Sequence, residues 1–312
     1  MEASLDPLVA AAKRAHLAIM DTMRIFDRAL LRRRRDRAAA SVAAVAPILD
    51  AAADLLLDRL DDTTRRFTRA LDLGGRGAVA PKLRARGVDF VVSADLSARM
   101  AEQAGGLAVA ADEEWLPFAP ESFDLIVASL SLHWVNDLPG ALIQLRLALR
   151  PDGLFLASLP GLGTLQPLRE ALAASEVALR GGLSPRISPF PELRDGAGLL
   201  QRAGFALPVA DAETLDLAWR TPFGIFADLR AAGEGNAALA RDRRTPPRAL
   251  FPQAAAALTP GPQGYTAPLR LLMLTGWAPH AGQQQPARPG SATHRLADAL
   301  GTVEHKAGER PS

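Results

Sequence analysis

Five short apolar runs, each closed by acids, glycines or other polar residues, constrain what this chain can fold into. They are RALDLGG (69–75), VDFVVSADLS (88–97), GLAVAAD (106–112), SFDLIVASLSL (122–132) and DGLFLASLP (152–160). Segments with helical character at 77–86, 97–104 and 137–149 separate most of them. An unbroken apolar run of this length suits a strand buried on both faces, as in a parallel sheet covered by helices. Strands that alternate with helices predict βαβ units and an α/β fold. The Pro-Asp-Gly turn at 151–153 punctuates a helix and the fifth strand.

The flanking regions read differently. From about 5 to 60 the spacing is helical, through LVAAAKRAHLAIMDTM and then RALLRRRRDRAAASVAAVAPILDAAADLLLDRL, with a break at Pro47. Further on we expect a helix over 164–182 and a proline-stiffened loop over 180–193. A helix with one or two strands over 197–219, a helix within 221–237 and a last strand from 265 follow. Residues after about 280 are rich in Gln, Pro, Gly and Ser, the composition of a mobile tail. The expected organisation is a helical N-terminal extension (1–60), one α/β domain (61–280) with lid-like insertions in 160–260, and a tail (281–312). No internal repeat is visible.

Composition removes several function classes. With 36 basic and 34 acidic residues the net charge is +2, which argues against a general nucleic-acid binder. The run Arg32–Arg35 reads as a solvated helix face, or as a contact for an anionic partner. The chain has no cysteine, so disulfides, thiolate metal sites and a cysteine nucleophile are all excluded. No P-loop lysine and no Gly-x-Ser-x-Gly elbow is present. No apolar run is long enough to span a membrane, and the first residues, with Glu2 and Asp6, lack a secretory pattern. These features lead us to expect a cytoplasmic protein.

In an open α/β sheet, ligands bind beyond the carboxyl ends of the strands, where the strand order reverses. The residues expected there are Asp72-Leu73-Gly74-Gly75-Arg76-Gly77, Asp95, Asp112-Glu113, and Ser129 through Asp137. Glycines after the first strand let a ligand approach the backbone, and the next helix start offers free N–H groups. An acid about twenty residues on can accept both hydroxyls of a ribose. An acid after the third strand can accept from an adenine amino group, with Trp115 and Leu116 placed to sandwich the ring. Each acid can equally be a helix cap or a solvated loop residue. His133 can serve as a general base or bond to a backbone carbonyl, and Trp134 can wall a pocket or simply pack. Asn136 or Asp137 can cap the following helix, with Pro139 in its first turn.

This order of acids and glycines resembles the class I S-adenosylmethionine-dependent methyltransferase fold. Within that fold, ADEEWLPFAPESFDLIVASLSLHWVNDLPGAL is similar to the subgroup that holds the malonyl-carrier-protein methyltransferases. It is closer still to the methyltransferase-fold assembly factors of mitochondrial respiratory complex I and their proteobacterial relatives. MRIFDRALLRRRRDRAA (23–39), RGGLSPRISPF (180–190), LLQRAGF (199–205) and ARPGSAT (287–293) carry the same likeness. The resemblance implies a Rossmann-like, seven-stranded, mainly parallel sheet with helices on both faces and an antiparallel last strand. It implies S-adenosylmethionine as cofactor, with Gly74, Gly75 and Gly77 at its methionine part, Asp95 at the ribose and Asp112 at the adenine. Asp72, Leu96, Glu113, Trp115 and Ser129 complete the implied cofactor set. Leu130 and His133 would border the reacting centre, with His133 in the catalytic position. Trp134, Ser184, Arg186 and Ser188 would face the substrate.

One departure stands out: the family reads Asp-Leu-Gly-x-Gly-x-Gly after the first strand, whereas this chain reads DLGGRGA. The Arg76 cation would disfavour a sulfonium, or else reach the cofactor carboxylate. Three functions therefore stay open: methyl transfer, the arginine hydroxylation implied by the assembly-factor resemblance, and a non-catalytic scaffold. Hydroxylation by non-heme iron commonly uses two histidines and a carboxylate. Of His16, His133, His280, His294 and His305, only His133 is expected near the strand ends, so no metal site is expected. The implied partner is a complex I subunit, which would bring the chain to a membrane surface without a span of its own.

Overall fold

The computed structural model describes residues 24–283, 298, 301 and 302. The expected helix before residue 24, the ARPGSAT stretch and most of the expected tail lie outside the described residues. The chain divides into two compact units, Met1–Pro279 and His280–Ser312. In the second, the described residues form a turn in which the Gly282 N–H donates to His280 Nδ1 at 3.1 Å.

The first unit is built on one seven-stranded sheet. Its strands are β1 (Arg69–Leu73), β2 (Phe90–Asp95), β3 (Leu107–Ala110), β4 (Phe123–Ser129), β5 (Leu149–Pro160), β6 (Ala206–Trp219) and β7 (Tyr265–Trp277). Their order is β3-β2-β1-β4-β5-β7-β6. β1 to β5 pair in parallel, and β7 runs antiparallel to both β5 and β6. The order reverses between β1 and β4, which fixes where a ligand site belongs. All five expected apolar runs are strands, and 197–219 holds a single long strand.

β1, β2, β4 and the second half of β5 are buried on both faces, with side chains alternating between them, whereas the edge strand β3, expected to be buried, is largely exposed, with Leu107 at 53%. Ala70, Leu125, Leu154 and Leu271 point into one core cluster, while their neighbours Leu71, Ile126, Phe155 and Leu272 point into the other. The first face is covered by α2 (Ala46–Leu57) and α3 (Val79–Ala85), through Leu49, Ala52, Ala53, Leu56 and Leu83. The second is covered by α5 (Leu138–Ala148) and α7 (Leu193–Arg202), through Leu142, Leu145 and Leu200. Pro47 stands in the first turn of α2, where its missing N–H costs nothing. α2 is thus part of the main core, although the sequence places it in an extension.

The remaining helices are α1 (Arg28–Ala38), the short α4 (Ala98–Ala101), α6 (Gln166–Arg180), α8 (Pro222–Ala231) and α9 (Leu250–Ala257). α6, α8 and α9 share a third apolar cluster around Leu168, Leu172, Ile225 and Ala254. Asp27 caps α1 by accepting from the Leu30 N–H at 2.9 Å. Among the described residues no single helix is long and apolar enough to cross a membrane.

Candidate functional site

The carboxyl ends of β1, β2, β3 and β4 converge as the strand order requires, but the residues there meet one another rather than open space. Asp72 accepts from the Gly75 N–H at 3.0 Å and the Ala80 N–H at 3.1 Å, with the Ser93 hydroxyl at 3.4 Å. Burial raises its pKa to about 7, against the opposing pull of these donors. Asp72 therefore ties the glycine loop to the start of α3. Gly74 has φ +70°, and a Cβ there would overlap the Ser131 side chain. A Cβ on Gly75 would overlap the Asp72 carboxylate. Protein packing itself requires these glycines. Gly77 is likewise backed by the Gln103 carbonyl, 3.0 Å from where its Cβ would be.

Arg76, in the shortened loop, is engaged by the protein itself. Its backbone is left-handed (φ 50°), as is that of Leu130 at the end of β4 (φ 50°). Non-glycine residues hold such a conformation only when their surroundings enforce it. Here Arg76 Nη2 donates to the Leu130 carbonyl at 2.6 Å and pairs with Glu234.

Helix α1 supplies the groups that fill the acid-rich end of the cleft. Arg35 is fully buried, and its Nη1 lies 2.9 Å from Asp95 Oδ2 and 3.4 Å from Glu113 Oε1. The other Asp95 oxygen accepts from the Ser97 N–H at 2.9 Å. Arg28 holds Asp112 at 2.6 Å, pairs with Glu113, and donates to the Trp134 carbonyl at 3.2 Å. Burial works against the Arg35 cation, but Asp95, Glu113 and Glu234 outweigh it and keep its pKa above the ordinary value. Burial likewise raises Asp95, partly offset by Arg35. Part of the arginine run read as a solvated face is therefore an internal counter-ion. Only Arg32 and Arg33 are exposed, in keeping with the helical period that turns Arg28 and Arg35 inward together.

A ribose would need the oxygens of Asp95, and an adenine amino group the carboxylate of Asp112. With Arg35 on one oxygen of Asp95 and the Ser97 N–H on the other, Asp95 as arranged does not fit a ribose, whereas Arg28 and the Glu114 N–H both meet the same oxygen of Asp112, whose side chain is 31% exposed. Trp115 is 76% exposed and closes a turn onto Asp112 instead of walling a ring site. Leu96 packs with Phe26, Leu31, Trp134 and Ala237. Ser129 is buried in β4, in register with Ser158.

On the other side of Arg76 lies a cavity of about 960 Å³. His133, Trp134, Arg186 and Ser188 line it. Ser184 is not among the lining residues: its hydroxyl is held at 2.7 Å by Glu176, which also takes Arg186 at 2.5 Å. At the boundary stands Glu234, a lone acid between glycines that sequence reading passed over. One Glu234 oxygen accepts from His133 Nε2 at 2.9 Å and from Trp134 Nε1 at 2.7 Å, and the other pairs with Arg76. Because a carboxylate only accepts, His133 carries its proton on Nε2, and burial lowers its pKa toward the neutral form. That leaves His133 Nδ1 as a buried lone pair without a partner, the arrangement of a base or an acceptor. Of the two proposed caps, Asp137 caps α5, accepting from the Gly140 N–H at 2.9 Å. Asn136 instead accepts from the Ile25 and Phe26 N–H groups, both at 2.8 Å. Among the described residues, no group of three His, Cys, Asp or Glu could hold a metal.

The comparisons with known proteins agree with the topology. Residues 71–157 match the methyltransferase domain family. The chain is 36% identical over 287 residues to the human arginine-hydroxylase NDUFAF5, mitochondrial, covering 87% of this chain and 82% of that protein. It is 35% identical over 292 residues to the Danio rerio protein of the same name, covering 88% and 89%. A malonyl-[acyl-carrier protein] O-methyltransferase from Methylovorus sp. (strain MP688) is 32% identical over 245 residues, covering 73% and 81%. The cytoplasmic expectation is corrected here: both vertebrate relatives are named as mitochondrial proteins.

Proposed function

Because the chain belongs to the NDUFAF5 arginine-hydroxylase family, we propose that it serves respiratory complex I assembly by acting on an arginine side chain of a partner protein. One observation supports this reading above the others. The cleft at the strand ends is chemically a guanidinium site, in which Asp95, Asp112, Glu113 and Glu234 hold Arg28, Arg35 and Arg76. Carboxylates arranged around planar guanidinium groups are suited to a further arginine brought by a partner once α1 yields. Beside them, His133 Nδ1 offers a neutral base. The partner is a complex I subunit, and contact with it would bring the chain to the membrane surface.

Methyl transfer with S-adenosylmethionine is the second reading. The methyltransferase-domain match and the carrier-protein methyltransferase relative favour it. It needs α1 to withdraw Arg35 from Asp95.

A single experiment tests both. Complex I is purified from cells with and without this chain, and its subunits are compared by peptide mass spectrometry. Loss of an added oxygen on one arginine, together with less assembled complex, supports hydroxylation, a reaction in which dioxygen supplies the added atom and an external two-electron reductant takes its other atom to water. Loss of an added methyl group supports methyl transfer. Identical peptides and normal assembly in both cells would refute a role on arginine.

A further inference from the structure

The cavity beside the carboxylate cluster has the opposite chemistry. At about 960 Å³ it is at the large end of small-molecule sites. Its walls are mostly apolar, with Leu168 and Leu172 of α6, Leu217 and Trp219 of β6, and Phe226 of α8. Its charged lining holds six arginines and three carboxylates, Asp228, Glu234 and Asp242; two of the arginines, Arg186 and Arg241, are paired with Glu176 and Asp27 outside the lining, which leaves four against three. All three acids are already engaged. Asp228 takes the Trp219 indole at 2.7 Å, Asp242 takes Arg180 at 2.5 Å, and Glu234 takes Arg76, His133 and Trp134.

Four buried polar atoms on lining residues have no hydrogen-bond partner among the described residues: Arg34 Nη1, Arg76 Nε, Ser188 Oγ and His133 Nδ1. Arg76, Ser188 and His133 are each more than nine-tenths buried. Arg76 and His133 both bond to Glu234, and the Arg34 guanidinium abuts Gly235, where a Cβ would come within 3.1 Å of Nη1. The next residue, Asn236, donates to the Pro185 carbonyl at 2.6 Å, which ties the loop carrying Ser188 to the same segment. Three of the four atoms can donate, so the end of the cavity around residues 234–236 is built for an acceptor. Buried donors left unmade are costly, and proteins retain them where a ligand completes the set.

We propose that this cavity binds an amphipathic anion, a long apolar body bearing one carboxylate that is received by Arg34 and Arg76. A neutral apolar molecule would leave the donors unmet, and a cation would face the surplus of arginines. Burial, with Arg241 nearby, holds the Arg34 pKa below its ordinary value, and burial lowers Arg76 despite Glu234. Neither cation is fully compensated by the protein. This site goes beyond the arginine reading: it has its own walls and its own charge, and the two regions meet at Glu234 and Arg76.

The test is a titration of the intact chain with laurate and dodecylamine below their micelle concentrations and dodecanol below its solubility limit. The signal is the fluorescence of Trp134 and Trp219, which line the cavity. Laurate should bind saturably and at least about tenfold more tightly than dodecanol, with dodecylamine weakest. Arg34→Gln, at a half-buried position, should remove most of that advantage and leave dodecanol unchanged. Leu168→Trp should weaken all three by narrowing the apolar chamber, with circular dichroism showing that the variant is folded. Equal binding of laurate and dodecanol, a preference for the amine, or no saturable laurate binding would overturn the proposal. So would an Arg34→Gln variant that keeps the full laurate preference.

Discussion

Replacing Arg35 by alanine tests whether the acid end of the cleft depends on a guanidinium. Arg35 and Glu113 have no exposed side-chain surface and Asp95 has 2%. Removing one partner of a buried ion pair costs roughly 3–5 kcal/mol, because the other charge stays buried without compensation. Glu113 keeps Arg28 and Asp95 keeps the Ser97 N–H, so the lower end of that range applies, about 3 kcal/mol. For a domain of this size that corresponds to a drop of roughly 6–12 °C in Tm. Thermal unfolding followed by circular dichroism reads it. The deficit should be largest above the folded-state pKa of Asp95, which burial raises, and should shrink as the pH falls through it and the carboxyl protonates. Ethylguanidinium at low, non-denaturing concentration should restore stability, by about 1.4 kcal/mol at ten times its Kd. The neutral isostere ethylurea should not. A variant within about 0.5 kcal/mol of wild type, the scatter of an ordinary surface change, would refute the reasoning. So would an ethylguanidinium effect equally large on the wild-type chain.

Two further substitutions probe the neighbouring carboxylates. Asp72→Asn should flatten the pH dependence of stability between about 4 and 7. The folded-state pKa is raised to about 7, so the wild type loses stability as the pH rises through that window, by at most about 4 kcal/mol, and the variant cannot. Denaturant unfolding of both proteins at a series of pH values measures the difference. Glu234→Gln strips the counter-charge from buried Arg76 and should destabilise by about 3 kcal/mol at neutral pH. Burial alone would raise the Glu234 carboxyl, but Arg76 and His133 more than offset it and hold it far below the usual range. The wild-type advantage is therefore fully present above the ordinary glutamate pKa and declines in acid, so the two proteins should converge as the pH falls.

The sheet was legible because its signal is local. The strands of the parallel half are apolar runs that end where a polar residue or glycine marks the cleft, except that β5 begins earlier than its apolar run and takes in the Pro-Asp-Gly segment at 151–153 that reads as a turn. Helix α9 was missed because Leu250–Ala257 follows a proline-rich stretch and consists largely of alanine, which carries little amphipathic contrast. The single strand β6 was hard to count because its register shifts between Ala206 and Val209. The site was half legible. Asp95, Asp112, Glu113 and His133 announce themselves at strand ends, whereas their partners come from far along the chain. Arg35 reaches Asp95 across 60 positions, and Arg76 reaches Glu234 across 158. Within the run of four arginines, the helical period that turns Leu31 and Ala38 inward turns Arg35 with them, but nothing local names its partners. Glu234 sits in a glycine-flanked helix exit that reads as an ordinary loop.

Arg34 and Arg35 are consecutive on α1 yet serve regions of opposite charge, which couples the two. Arg35 is locked onto Asp95 and Glu113, while Arg34 stands at the polar end of the apolar cavity. The start of α1 is pinned to the Glu234 segment: the Asp27 N–H donates to the Ala237 carbonyl and the Leu239 N–H to the Ile25 carbonyl, both at 2.8 Å. Phe26 also meets Trp134 edge-on, with ring centroids 5.2 Å apart. A movement of α1 that frees Asp95 for a nucleoside must therefore carry Arg34 away from the cavity. Laurate, by holding Arg34, should weaken binding of S-adenosylmethionine, and linkage requires S-adenosylmethionine to weaken laurate by the same factor. Calorimetric titration of S-adenosylmethionine with and without saturating laurate measures the first factor, and the reverse titration measures the second. Arg35→Ala should raise the affinity for S-adenosylmethionine by removing its competitor on Asp95. If S-adenosylmethionine binds wild type and variant alike, whether or not laurate is present, then α1 does not gate the acids and the two regions are independent.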